Sequence, residues 1–205
     1  MITIINYGAG NLASIQNMLR FLNVDCEITG DPQTISRAKK LILPGVGAFD
    51  HGMQRLHELN LVDVLNQKVL GEKIPILGIC LGVQLFTKRS DEGTLPGLGW
   101  IDAETVHFNQ SSLAENDRVP HMGWRDVEIN HASKLAKELP TNSRFYFVHS
   151  YHLRCNSPKD VLFSARHGYS FPSGVEKENI YGVQFHPEKS HRFGKKLLAN
   201  YAALN

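Results

Sequence analysis

Cys80 stands in the run Gly78-Ile79-Cys80-Leu81-Gly82, with one glycine two residues before it and another two residues after it. The apolar stretch from Ile74 to Ile79, broken by Pro75, reads as a buried strand that delivers the thiol. This spacing is the thiol counterpart of a nucleophile elbow, a sharp strand-to-helix turn. The nucleophile takes a strained backbone there, and the glycines leave room where a Cβ would collide. A helix starting at Leu81, with Leu85 and Phe86 apolar, would aim its first amides and its dipole at a thiolate. A small buried core cysteine fits the same spacing, so the rest of the chain has to decide.

A thiolate nucleophile needs a base, and the base needs a group to orient it. The segment Gly182-Val183-Gln184-Phe185-His186-Pro187-Glu188 offers both. His186 and Glu188 are two apart in extended chain, so they share a side. A carboxylate placed there accepts from one imidazole nitrogen and leaves the other free for Cys80. Taken alone, the same residues could be an ordinary polar strand end. Pro44-Gly45-Val46-Gly47 adds a third element. Two glycines around one residue let an amide turn toward a ligand, as an oxyanion hole requires. The amides of Val46 and Leu81 are the candidates, although without a nearby nucleophile the loop would be a plain turn.

Those groups must be held by a scaffold. At 205 residues the chain suits one compact domain over 1–205, long enough to bury a sizeable core. A formal charge of +2 and short basic pairs (Lys39-Lys40, Lys195-Lys196) read as solvated faces, not as a nucleic-acid footprint. No apolar segment approaches the ~18 residues of a membrane span. Met1 to Ile5 runs straight into a strand pattern with no basic leader, which points to the cytoplasm. Three widely spaced cysteines, Cys26, Cys80 and Cys155, support neither a disulfide framework nor a zinc site. His149 and His152 are three apart in a strand-like segment, which puts them on opposite faces; no metal or cofactor is expected.

The first half alternates strands and helices. Strands are expected at Ile2–Tyr7, Val24–Thr29, Lys40–Leu43 and the run into Cys80. Helices are expected at Leu12–Leu22 after an Asn11 cap, Gln33–Ala38, Ala48–Glu58 and Leu61–Leu70. Continuous apolar strands separated by helices predict an α/β fold with a parallel sheet covered on both faces. Its active site would lie at the strand carboxyl ends, where Gly8–Asn11, Pro44–Gly47 and Cys80–Gly82 meet. The second half reads differently. Glu92–Gly99 and Gln110–Arg118 are loops, Trp100–Phe108 alternates as an antiparallel strand does, and Arg144–Tyr151, Asp160–His167 and Ser173–Phe185 are further strands, with a turn near Lys177–Asn179. Ser133–Leu139 reads as a short helix closed by Pro140, and Lys189–Ala203 as the closing helix.

Together these motifs resemble the class I (triad) glutamine amidotransferases, in which a Gly-x-Cys-x-Gly elbow is paired with a distant His-x-Glu. The resemblance runs from the first strand to the closing helix. Asn6-Tyr7-Gly8-Ala9-Gly10-Asn11, Pro120-His121-Met122-Gly123-Trp124 and Tyr146-Phe147-Val148-His149-Ser150-Tyr151 also resemble the branch serving histidine biosynthesis. The oxyanion loop Gly45-Val46-Gly47 differs from the Gly-Pro-Gly typical of several other branches, and Val83 stands where methionine is usual.

The resemblance implies a flavodoxin-like α/β fold with a mostly parallel sheet and an antiparallel extension. It implies hydrolysis of L-glutamine to glutamate and ammonia, with Cys80 as nucleophile, His186 as proton shuttle and Glu188 as its orienter. By the same carry-over Gly47, Gln84, Glu92, His149, Ser150 and Tyr151 contact glutamine, Glu92 facing its α-ammonium. The implied partner is a (βα)8-barrel cyclase that receives the ammonia. Asn11, Met122, Trp124, Tyr146 and Lys189 become interface or gate candidates, although Trp124 and Tyr146 could equally be core aromatics. Two alternatives stay open: a related glutaminase feeding a different synthase, such as one that amidinates surface-polysaccharide sugars, and a catalytically idle scaffold.

Overall fold

The computed structural model describes residues 1–115 and 117–204. Its first half comprises β1 (Ile2–Ile5), α1 (Leu12–Phe21), β2 (Cys26–Thr29), α2 (Pro32–Ser36), β3 (Leu41–Gly45), α3 (Phe49–Glu58), α4 (Leu61–Asn66), β4 (Ile76–Cys80) and α5 (Leu81–Leu85). The second half carries β5 (Ala103–His107), β6 (His121–Ile129), β7 (Arg144–His149), β8 (Tyr151–Cys155), β9 (Val161–His167), β10 (Tyr169–Lys177), β11 (Ile180–Val183) and α6 (His191–Ala202).

A nine-stranded sheet runs in the order β2-β1-β3-β4-β11-β10-β9-β6-β7, and β5 pairs separately with β8. From β2 to β11 the neighbours are parallel; from β11 to β7 they are antiparallel. The parallel strands are apolar throughout because both faces are covered. Ile4, Ile42, Leu77 and Ile79 face α1 and α6, meeting Ile15, Leu19, Leu197, Leu198 and Tyr201. Their chain neighbours Ile5, Leu41, Leu43 and Ile76 face Phe49, Met53, Leu56, Leu61 and Leu65 of α3 and α4. Each such fully buried side chain contributes about 1.5–3 kcal/mol of transfer free energy. Caps fix the helix starts: Asn11 accepts from Ser14 N at 3.4 Å, and Asp31 from Thr34 N at 2.8 Å.

Register aligns the working ends. Gly45 lies opposite Cys80, and Ile79 opposite Val183. The loop after β3, the turn after β4 and the segment after β11 therefore emerge side by side at the carboxyl edge.

Three expectations need correction. Ser133–Leu139 forms turns, not a helix: its bonds are of the i→i+3 kind, and Glu138 takes φ +57°. Asn200 Nδ2 occupies the carbonyls of Leu135 and Lys137, at 2.9 and 2.7 Å. Arg144–Tyr151 is not one strand, because the chain changes sheets at Ser150. His149 and His152 consequently do not lie on opposite faces; both rings pack on Phe108, at 5.2 and 4.6 Å between centroids. Strand β6 went unforeseen, since its half-buried Arg125 and exposed Asp126 and Glu128 hide the alternation. The Gln110–Arg118 segment contains a short 3-10 turn at Gln110–Ser112, and its Asn116 lies outside the described residues. No helix among the described residues is long and apolar enough to cross a membrane.

Candidate active site

The turn at Cys80 is strained, with φ +55° and ψ −113° at a non-glycine residue. Such a conformation costs about 1–3 kcal/mol and persists only where the surroundings enforce it. Close packing enforces it here. A Cβ on Gly82 would lie 1.8 Å from the Leu43 carbonyl oxygen, and one on Gly78 would lie 2.6 Å from the Phe86 ring. The following helix is shorter than its apolar spacing suggests. Thr87 closes it at once, its hydroxyl donating to the Gln84 carbonyl at 2.7 Å. Cys80 is thus the cap residue of a five-residue helix, its side chain makes no cap hydrogen bond, and no long helix dipole points at the thiol.

His186 and Glu188 are paired, with Nδ1 donating to Oε1 at 2.7 Å and side chains only 3% and 1% exposed. Ser190 fixes the segment to β7: its hydroxyl donates to the His186 carbonyl at 2.6 Å and accepts from Tyr146 N at 3.0 Å. Nδ1 being committed, Nε2 remains, and it makes no hydrogen bond to the described residues, with Cys80 its nearby charge partner. Burial disfavours the charged ring, but the nearby Cys80 and Glu188 outweigh it and push His186 up to about 10. These neighbours favour the protonated ring, a proton donor beside the sulfur.

A cavity of about 350 Å³ opens over these groups. Cys80, His186, Val46, Gly47, Leu81, Gln84, Glu92, His149, Ser150 and Tyr151 all line it, together with Val148. Val46 is half exposed, and Gly47 takes φ +99° with open space where a Cβ would lie. Glu92 also caps α3. Its Oε2 accepts from Phe49 N at 2.9 Å, where the helix's own cap position, Ala48, offers no side-chain acceptor. Glu188 lies outside the cavity wall, behind His186.

The interface candidates stand apart from this cavity. Met122 is 55% exposed, Lys189 is exposed and Trp124 is half-buried. Trp124 and Tyr146 pair across β6 and β7, Lys189 Nζ lies 5.7 Å from the Tyr146 ring, and His191 stacks on Trp124 at 5.3 Å. Asn11 is exposed at the α1 cap, and α1 packs against the Pro187–Lys189 turn.

Gln184 was not among the expected residues. It is fully buried, and its Nε2 reaches Cys80 Sγ at 3.7 Å. The available signal was its position two residues before His186, on the same side of an extended segment. Among the described residues no group of three His, Cys, Asp or Glu side chains is arranged to hold a metal.

A family model described as glutamine amidotransferase class-I matches residues 3–203. Imidazole glycerol phosphate synthase subunit HisH 2 of Methanococcus maripaludis is 54% identical over 201 residues, covering 98% of each chain. The protein of the same name from Pseudomonas aeruginosa is 45% identical over 204 residues, covering 100% of both. Among solved structures, PurLQS from Thermotoga maritima aligns with a TM-score of 0.73 at 15% identity, over 98% of this chain and 96% of that one. A crystal structure described as a glutamine amidotransferase gives 0.72 at 19% identity, with the same coverage. At such identities the two structures speak for the fold alone.

Proposed function

The chain belongs to the class I glutamine amidotransferases, and from that premise we propose that it is the glutaminase subunit of an imidazole glycerol phosphate synthase. One observation carries the chemistry: a strained cysteine and a His–Glu pair open into one cavity sized for a small ligand. Cys80 attacks the side-chain carbonyl of L-glutamine. The amides of Val46 and Leu81 receive the oxyanion. His186 gives its proton to the departing ammonia, leaving a glutamyl thioester on Cys80. Water, deprotonated by the same ring, then releases glutamate, while Glu188 holds the imidazole throughout.

The full-length relatives are named as synthase subunits, which supports a partner that consumes the ammonia. In this reading the partner is a (βα)8-barrel cyclase of histidine biosynthesis, bound as a cytoplasmic heterodimer through the face that carries Met122, Trp124, Tyr146 and Lys189, with Asn11 beside it. Those names favour this partner over a sugar-amidinating synthase. Ammonia lost to water wastes glutamine, so the Gly45–Gly47 backbone serves as a two-state element that the partner biases.

The test combines the chain with a histidine-pathway cyclase and its phosphoribosyl substrate. Imidazole glycerol phosphate should form with glutamine, and Cys80→Ala should form it only when ammonium is supplied. No glutamine-dependent product with wild type removes the histidine-pathway reading. Unimpaired glutamine use by Cys80→Ala removes the thiol mechanism.

A further inference from the structure

His121 is fully buried at the start of β6 and pairs in register with His149 on β7. One hydrogen bond joins the rings, between His121 Nδ1 and His149 Nε2 at 2.9 Å. The neighbouring bond gives its direction. His149 Nδ1 lies 2.7 Å from the Tyr151 carbonyl oxygen, which can only accept, so His149 carries a proton on Nδ1. Burial holds His149 well below its ordinary value and His121 down to about 3, so both rings are neutral. A neutral His149 protonated on Nδ1 presents a bare Nε2, and His121 must donate to it.

His121 Nε2 is then bare as well, and it is buried without a partner among the described residues. The ring packs among His167, Phe147 and Phe171, at 4.3, 5.0 and 5.7 Å between centroids. A leucine would fill that space without burying an unpaired nitrogen. What leucine lacks is the donor that satisfies His149 Nε2 and anchors its ring.

The Tyr151 carbonyl also accepts from Gln84 Nε2 at 3.2 Å. Gln84 Nε2 lies 3.1 Å from Gln184 Oε1, and Gln184 Nε2 reaches Cys80 Sγ. The histidine pair therefore fixes one side of this carbonyl, and the glutamine pair that ends on the sulfur fixes the other. His149, Ser150 and Tyr151 form the cavity wall facing Cys80.

We propose that His121 is a positioning residue for glutamine recognition, acting through the directed bonds from His121 to His149 and from His149 to the Tyr151 carbonyl. The proposal rests on the glutaminase reading of the cavity. Without the donor, His149 Nε2 is left buried and unpaired, and the ring keeps one anchor, the Tyr151 carbonyl, instead of two. The ring then turns toward another partner for Nε2, and the wall shifts. Cys80 itself, seated on β4, stays in place. The next residue, Met122, is the exposed one, so the donor sits one position from the face proposed to meet the partner.

The test compares His121→Leu with His121→Asn, whose side-chain amide restores a donor near the place of Nδ1. Labelling of Cys80 by 6-diazo-5-oxo-L-norleucine, a glutamine-shaped alkylator, reads the recognition wall. Labelling by iodoacetamide reads the thiol alone. His121→Leu should raise the half-saturating concentration of the glutamine analogue by about tenfold or more, with iodoacetamide labelling within about twofold of wild type. His121→Asn should recover most of that loss. In 15N spectra of histidine-labelled wild type, His121 and His149 should both show the Nδ1–H tautomer, and the His149 Nε2 resonance should shift in His121→Leu as it loses its donor. An unchanged half-saturating concentration in folded His121→Leu overturns the proposal, as does an Nε2–H tautomer of His149 in wild type. Absence of saturable labelling of wild type by the glutamine analogue instead overturns the glutaminase reading, and the 15N spectra still decide the hydrogen-bond direction.

Discussion

Gln184 Oε1 accepts from Gln84 at 3.1 Å, and this decides what Gln184 shows to Cys80 across 3.7 Å. With its oxygen committed, the amide can present only its NH2 to the sulfur. A donor aimed at sulfur in a buried site favours negative charge there. Removing such a bond costs about 1.5–3 kcal/mol, or roughly 10–100-fold. Gln184→Leu should therefore slow iodoacetamide labelling of Cys80 at pH 7 by about tenfold and slow glutamine turnover at least as much. Gln184→Glu, which sets a carboxylate against the sulfur, should be slower still. Equal labelling rates for wild type and Gln184→Leu would show that the sulfur does not feel the amide.

The elbow makes a stability prediction with an internal control. Gly82→Ala drives a Cβ to within 1.8 Å of the Leu43 carbonyl oxygen, so β3 and the turn cannot both keep their places. The loss should exceed the ~1–3 kcal/mol typical of overpacking. Gly47→Ala meets nothing within 4 Å but must hold φ +99°. It should cost about 1–3 kcal/mol, the strain of a non-glycine residue at that φ, while stiffening the loop between β3 and α3. Urea unfolding of the two variants measures the contrast, and similar midpoints would contradict it.

The parallel half of the fold and the elbow were legible because each is specified locally. Ile76, Leu77 and Ile79 are apolar on both faces, and glycines at fixed offsets around Cys80 have few other uses. Strand β6 was not legible, because its pairing with β7 and β9 comes from distant chain and its outer face carries charge. The apolar spacing of Leu135, Ala136 and Leu139 imitates a helix, yet those side chains are buried while Asn200 takes the carbonyls of Leu135 and Lys137. Gln184 and His121 escaped for a related reason. Their partners lie 104 and 28 residues away, and nothing in a linear pattern marks a glutamine or histidine whose importance is the direction of one hydrogen bond.

Acid should destabilise the protein through the same histidines. In the folded chain His121 titrates at about 3 instead of 6.5, because burial, His167 and Arg125 outweigh the pull of Asp117. Below pH 6.5 the unfolded chain binds a proton that the folded chain refuses until about pH 3. Stability therefore falls as pH drops through that window, by about 1.4 kcal/mol per pH unit for each such group. His121→Asn removes one titrating ring. Its loss of stability between pH 6.5 and 4 should be shallower than that of wild type, as read from urea midpoints at several pH values. Parallel curves would mean that His121 is not held neutral by the fold.

Glu92 lines the cavity and caps α3, and two substitutions separate a role in binding from the role in the helix. Glu92→Gln keeps an oxygen that can accept from Phe49 N but loses the charge that faces the cavity. Glu92→Ala loses both, and a missing helix cap costs about 1 kcal/mol. The loop that carries Glu92 is pinned independently, since Asp50 accepts from Thr94 N and Leu95 N, each at 3.0 Å. Neither variant should therefore unseat it. Glu92→Gln should unfold within about 0.5 kcal/mol of wild type while its KM for glutamine rises about tenfold, the loss of one charge-assisted contact to the α-ammonium. Glu92→Ala should show the same rise in KM together with the lost cap. A wild-type KM in Glu92→Gln would leave Glu92 as a helix cap alone and move recognition of the ammonium to another part of the wall.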